Sequence, residues 1–247
     1  MCLIFFAYNS HPKYKFVLSA NRDEFLNRPA SKISEWDGIY AGKDLQSGGT
    51  WLGINKKGKF CAITNIRRIE QIPNAPTRGK IVTNYLTGKD SPKDYLTELI
   101  KDSDKYNGFN LILGDKNSCF HFNNMEKKIN DLESGIYGVS NASIDTPWPK
   151  LEKGKKEFSQ LLKDDRLNKE DFFKLLRDDS KPPVEQLPET GVGLEWEKIL
   201  SSIFITSEAY GTRCTSIITM NEKEVNFFER TYDKDHEGDE KISFSMD

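Results

Sequence analysis

The sequence predicts an α+β fold in which antiparallel sheets are built by both ends of the chain and helices pack outside them. Three observations carry this. Short β-type segments joined by tight turns dominate the two ends. Helix-period segments cluster in the middle. No internal repeat and no low-complexity linker interrupts them, so residues 1–247 are expected to form a single domain.

Taken in order, residues 3–8 and 14–20 form a hairpin around Asn9-Ser10-His11-Pro12-Lys13. Residues 50–55 and 59–64 form another, joined by a turn ending at Gly58, and 109–114 with 119–123 a third. Thr77 caps a helix running to about Thr87. Ser91-Pro92 begins a helix whose Tyr95, Leu96, Leu99 and Ile100 share one face, with Pro at the tolerated first position. Thr146-Pro147 begins a third, with Leu151, Phe158, Leu161 and Leu162 on its apolar side. Asn168 and Asp171 mark a capped start for 169–178. Residues 180–197, with three prolines, read as a long irregular segment. Strands return at 203–206, 214–220, 224–232 and 242–246, and the run Asp233–Lys241 reads as acidic and solvated.

Composition narrows the function classes. Lys and Arg total 36 against 38 Asp and Glu, a net charge of -2, without the basic excess of nucleic-acid binders. Mean hydropathy is -0.64 and no apolar run approaches a membrane span, so no transmembrane segment is expected. The run Leu3–Tyr8 is short for a signal peptide and lacks a basic leader, which points to the cytoplasm. The four cysteines are far apart and show no CxxC pattern, and His11, His121 and His236 form no metal-ligand motif. No metal or cofactor is therefore expected.

Cys2 is the most suggestive residue. Removal of the preceding Met1 would leave a thiol and a free α-amine on one residue. The amine, with a pKa of about 8, can act as base for the thiol. The plainer alternative is a small core residue opening a buried strand. Polar residues also stand at strand ends: Asn21-Arg22-Asp23-Glu24, Asn65, Ser140-Asn141 and Thr212-Arg213. Singly, each is an ordinary turn former or surface ion-pair partner. Together they supply what a cysteine nucleophile needs: amides for an oxyanion, an acid to orient an ammonium, and arginines for an anion.

The blocks Met1-Cys2, Ala20-Asn21-Arg22-Asp23-Glu24-Phe25, Gly48-Gly49-Thr50-Trp51-Leu52-Gly53, Thr64-Asn65, Arg78-Gly79, Tyr137–Ala142, Thr146-Pro147-Trp148 and Tyr210-Gly211-Thr212-Arg213 resemble the NRDE family in order. Their spacing is also similar to the cysteine-type N-terminal-nucleophile hydrolases of bile salts and penicillin V. That resemblance implies a four-layer αββα sandwich of two antiparallel sheets. It implies Cys2, Asp23, Asn65, Asn141 and Arg213 as catalytic residues, with Asn21, Arg22 and Arg78 binding substrate. Arg22 departs from the hydrolase pattern, in which the arginine lies a few residues before the aspartate. Since alternate strand residues face opposite ways, Arg22 need not take the same place. Two functions follow as expectations: an amidase or thioesterase using Cys2, or a carrier of haem or acyl-coenzyme A lipids using the same cleft.

Overall fold

The computed structural model describes residues 2–68, 70–233 and 236–247. Met1, whose removal the N-terminal chemistry requires, and Lys234 and Asp235 of the acidic run lie outside the described residues. In chain order the strands are β1 (Cys2–Tyr8), β2 (Phe16–Phe25), β3 (Ser34–Trp36), β4 (Ile39–Ala41), β5 (Leu52–Asn55), β6 (Phe60–Asn65) and β7 (Phe109–Gly114). They continue as β8 (Cys119–Asn123), β9 (Lys128–Asp131), β10 (Gly135–Val139), β11 (Tyr210–Met220), β12 (Glu224–Asp233) and β13 (His236–Ser245). The helices are α1 (Gly79–Thr87), α2 (Pro92–Asp102), α3 (Pro149–Lys163), α4 (Lys169–Leu176) and α5 (Leu194–Ile199).

The strands form a six-stranded sheet, β10-β1-β2-β11-β12-β13, and a seven-stranded sheet, β3 to β9 in chain order. Every adjacent pair is antiparallel. β1 shows why the sequence lacks polar alternation there. Ile4, Phe6 and Tyr8 point into the core between the sheets, while Leu3, Phe5 and Ala7 point outward under α3 and α4. Both faces are covered, so both must be apolar. Across the sheets Phe16 stacks on Phe60 at 3.9 Å and Tyr40 on Phe244 at 4.0 Å. On the far side, Ile81, Val82, Tyr85, Leu86 and Leu96 of α1 and α2 pack on β6, β7 and β8. The result is the αββα order of layers.

Two capping signals match their expected positions. The Ser91 side chain accepts from the Asp94 N–H and Asn168 accepts from Asp171, closing the first turns of α2 and α4. Five expectations change. The helix expected at Thr146-Pro147 starts at Pro149, because Trp148 is still extended and takes the cap position. The α1 cap is Arg78, with no side-chain capping bond, rather than Thr77. Residues 203–206 lie in no named strand; only Thr206 forms an isolated bridge, to Gly211. The segment 180–197 holds a 3-10 turn at Val184–Gln186 and the start of α5. β2 also runs to Phe25, five residues beyond its expected end, because β11 pairs with it as far as Tyr210. Asn21–Glu24 thus lie within a strand. Among the described residues no helix is long and apolar enough to cross a membrane.

Candidate functional site

β1, β2, β11 and β12 bring one row of side chains to the end of the six-stranded sheet. Cys2 lies opposite Arg22, Arg22 opposite Cys214, and Cys214 opposite Thr231. All four line a cleft of about 340 Å³, whose other walls include Thr50, Trp51, Asn65 and the start of α1 at Thr77, Arg78 and Gly79.

Cys2 is 7% exposed. Burial pushes its thiol up to about 11; the Asp23 charge adds to this, while Arg22 and a hydrogen bond from the Asp23 backbone N–H work against it. In this form of the chain the thiol is protonated at neutral pH. Asp23 lines the cleft. Its Oδ1 accepts from the Thr212 hydroxyl at 2.7 Å and its backbone carbonyl accepts from the Tyr210 hydroxyl at 2.8 Å. Burial pushes the carboxyl up, and the Lys150 ammonium, the Thr212 bond and Arg22 oppose it.

Asn65 closes β6 and lines the cleft, and among the described residues no hydrogen bond occupies its side-chain amide. Its backbone carbonyl accepts from Asn141 Nδ2 at 2.8 Å. Asn141 is therefore one hydrogen bond behind the cleft and does not line it. It is fixed in turn: its Oδ1 accepts from Ser140 Oγ and its carbonyl from the Arg67 N–H. Thr64 Oγ1 donates to the Ser140 carbonyl, and Asn110 Nδ2 to Ala142. Asn110 Oδ1 faces His121 Nε2 at 3.1 Å, and His121 Nδ1 faces Asn130 Nδ2 at 3.0 Å. Since Asn130 Nδ2 can only donate, the imidazole carries its proton on Nε2. Burial pushes His121 down to about 4, so it is neutral at pH 7. It is absent from the cleft lining and so offers Cys2 no base there.

Arg213 sits at a break in register between Thr212 and Cys214 and reaches the cleft rim. It donates to the Leu26 carbonyl and to Asp233 Oδ1 at 3.1 Å. Arg22 and Arg78 both line the cleft. Arg78 donates to the Gly108 carbonyl at 3.0 Å; burial lowers it, and its nearness to Cys2 and Glu24 opposes that. Asn21 is a correction. One residue before Arg22, it faces the helix side, where Nδ2 donates to the Leu176 and Ile203 carbonyls and Oδ1 accepts from Thr215. It does not bind anything in the cleft.

Four buried charged groups near the site have no signal in the sequence. Lys150 is buried at the start of α3, donates to the Leu200 carbonyl at 2.8 Å, and is pushed down to about 8 by burial, against the attraction of Asp23. Arg67 pairs with Glu197 in the interior. Glu229 also lines the cleft, accepting from the Ile33 N–H at 2.9 Å and from Ser216 at 3.2 Å, and burial raises its carboxyl while the Arg22 charge opposes this. In sequence each looks like an ordinary surface charge.

Comparison with known proteins matches this architecture. The chain is 35% identical to the mouse Transport and Golgi organization 2 homolog and 34% identical to the human homolog, covering 95% of both chains in each case. A mutant conjugated bile acid hydrolase from Clostridium perfringens superposes with a TM-score of 0.55 at 11% identity, over 99% of this chain and 97% of that one. An N-acylethanolamine-hydrolyzing acid amidase ortholog from Caenorhabditis elegans gives 0.50 at 13% identity, over 88% and 92%. These two likenesses establish the N-terminal-nucleophile hydrolase fold. The model of the Transport and Golgi organisation 2 family matches residues 1–234, and the chain belongs to that family.

Proposed function

We propose that this protein is a cytoplasmic N-terminal-nucleophile hydrolase of small amides or thioesters, with Cys2 as nucleophile once Met1 is removed. The observation that carries this reading is the meeting of Cys2, Asp23, Asn65 and Arg213, from four different strands, on one cleft. The freed α-amine, with a pKa of about 8, takes the thiol proton. Sγ adds to the substrate carbonyl carbon, and the oxyanion that forms accepts from the Asn65 amide. The amine returns the proton to the leaving amine or thiol as the C–N or C–S bond breaks. A water molecule then hydrolyses the acyl-enzyme, releasing the acid and restoring the thiol. Asp23 anchors the ammonium, Asn141 holds the Asn65 backbone, and Arg213 steadies the rim.

A second reading, a non-catalytic carrier of haem or acyl-coenzyme A lipids in the same cleft, is favoured by one observation. With its thiol pushed up to about 11, Cys2 is a poor nucleophile until Met1 is removed. Intact mass measurement and a screen of small amides and thioesters, comparing wild type with Cys2→Ser, separate the two. The hydrolase reading expects loss of Met1 and turnover lowered about 100-fold or more by Cys2→Ser. Retained Met1, no turnover, and saturable binding of haem or acyl-coenzyme A would replace it with the carrier.

A further inference from the structure

The cleft holds positive charge that the reaction above does not use. Arg22 is 8% exposed, lines the cleft between Cys2 and Cys214, and has no hydrogen-bond or ion-pair partner among the described residues. A guanidinium with five N–H donors and no direct protein acceptor presents those donors to whatever enters the cleft. The carboxylates near it are engaged elsewhere: Asp23 with Thr212, and Glu229 with Ile33 and Ser216. Three of the rim cations are also taken. Arg28 pairs with Asp44 at 2.7 Å, Lys32 with Glu240 at 2.9 Å and Arg213 with Asp233 at 3.1 Å. Among the described residues Arg22, the inner cation beside the thiol, makes no direct hydrogen bond or ion pair with a protein group.

A second feature points the same way. The start of α1 opens on this cleft through Thr77, Arg78 and Gly79. It has no side-chain cap and no acidic residue in its first turn. Such an end presents unpaired N–H groups and the positive pole of the helix. The backbone there is held close: a Cβ on Gly49, whose φ is +77°, would overlap the Gly79 carbonyl carbon. Arg78 spends one N–H on the Gly108 carbonyl, which leaves the rest of its fork available.

We propose that the cleft takes a ligand carrying an oxyanion group, a carboxylate or a phosphate, held between Arg22, Arg78 and the start of α1 beside Cys2. The planar forks of the two arginines suit the paired oxygens of either group. On the hydrolase reading, which this inference deepens, the substrate is an amide or thioester with that anion close to the carbonyl.

The test needs no turnover. Cys2→Ala protein is titrated calorimetrically with glutarate, inorganic phosphate and glutaramide, the uncharged counterpart of glutarate, at two salt concentrations. Glutarate or phosphate should bind about tenfold or more tighter than glutaramide, less so at higher salt, because charge-assisted bonds exceed neutral ones. The preferred anion tells carboxylate from phosphate. Arg22→Gln, and independently Arg78→Gln, should reduce the preference, with folding checked by near-UV circular dichroism. Lys32→Gln, on the rim, should change binding less than about twofold. Equal binding of glutaramide, or an undiminished preference in well-folded Arg22→Gln, overturns the proposal. A protein that hydrolyses neutral amides yet binds neither anion would keep the hydrolase reading and lose this one. Anion binding without turnover would do the reverse.

Discussion

Substitution of Glu197 by alanine should unfold this protein far more readily than its position on a short helix suggests. The Arg67 and Glu197 side chains are 3% and 5% exposed and form an ion pair. The guanidinium lies 4.8 Å over the Trp148 ring, and its Nε has no partner among the described residues. The second carboxylate oxygen accepts from Thr190, both its N–H at 2.8 Å and its hydroxyl at 2.6 Å. Removing the carboxylate leaves a buried cation uncompensated, which costs about 3–5 kcal/mol. For a chain of this size that corresponds to a fall in Tm of about 6–20 °C. Replacing both partners by apolar residues, Arg67→Met with Glu197→Leu, removes the stranded charge and should recover most of the loss. Urea unfolding followed by tryptophan fluorescence reads the double-mutant cycle, with Trp148 and Trp196 beside the pair. A cost below about 1 kcal/mol for Glu197→Ala, or a double variant less stable than the single one, would refute the reasoning.

Three further outcomes are expected. Cys2 should be alkylated faster than Cys61, Cys119 or Cys214, with a rate climbing steeply toward pH 11 in chains that keep Met1, because burial lifts the other thiols further; equal labelling would remove it from consideration. Stability should fall on acidification. His121 stays neutral in the fold down to about 4 but protonates near 6.5 when unfolded, so its contribution is intact above 6.5 and about 2 kcal/mol is lost by pH 5; His121→Gln, though weaker at pH 7, should flatten that part of the profile in urea midpoints. Gly154→Ala should destabilise by about 1–3 kcal/mol despite the better helix propensity of alanine, since the added Cβ overlaps the Phe5 ring under α3; an unchanged thermal midpoint would show that the ring can move aside.

What was legible in the sequence is what local chemistry decides. β7 and β8, and the caps Ser91 and Asn168, fall where paired β-type segments and capping residues put them. Three-residue strands such as β3 and β4 are too short to show a period and passed unread. The extension of β2 depends on β11, some 190 residues away in the chain, and so does the facing of Asn21, Arg22 and Asp23. Asn21 and Arg22 are neighbours of similar polarity, but pleating sends one to the helix layer and the other to the cleft. Lys150 and Glu197 sit among lysines and glutamates on helical segments and look solvated. Only the return of the chain through Leu200 and Thr190 buries them.

The departure of Arg22 from the hydrolase spacing has a structural answer in β11. Its register with β2 is unbroken from Met220 opposite Phe16 to Cys214 opposite Arg22, and the next pair is Thr212 opposite Asp23. Arg213 is the inserted residue, the arrangement of a β-bulge, which adds twist and re-aims side chains at sheet ends. With an unbroken register Arg213 would lie opposite Asp23, and Thr212 one step farther out. The insertion instead sets the Thr212 hydroxyl against the Asp23 carboxylate and sends the Arg213 guanidinium to Leu26 and Asp233 at the rim. Arg22 keeps the inward-facing position beside Cys2, while Asp23, facing the other way, still lines the cleft. Adjacent residues of opposite facing can thus serve one cleft, the aspartate tied into the fold and the arginine left open to whatever enters.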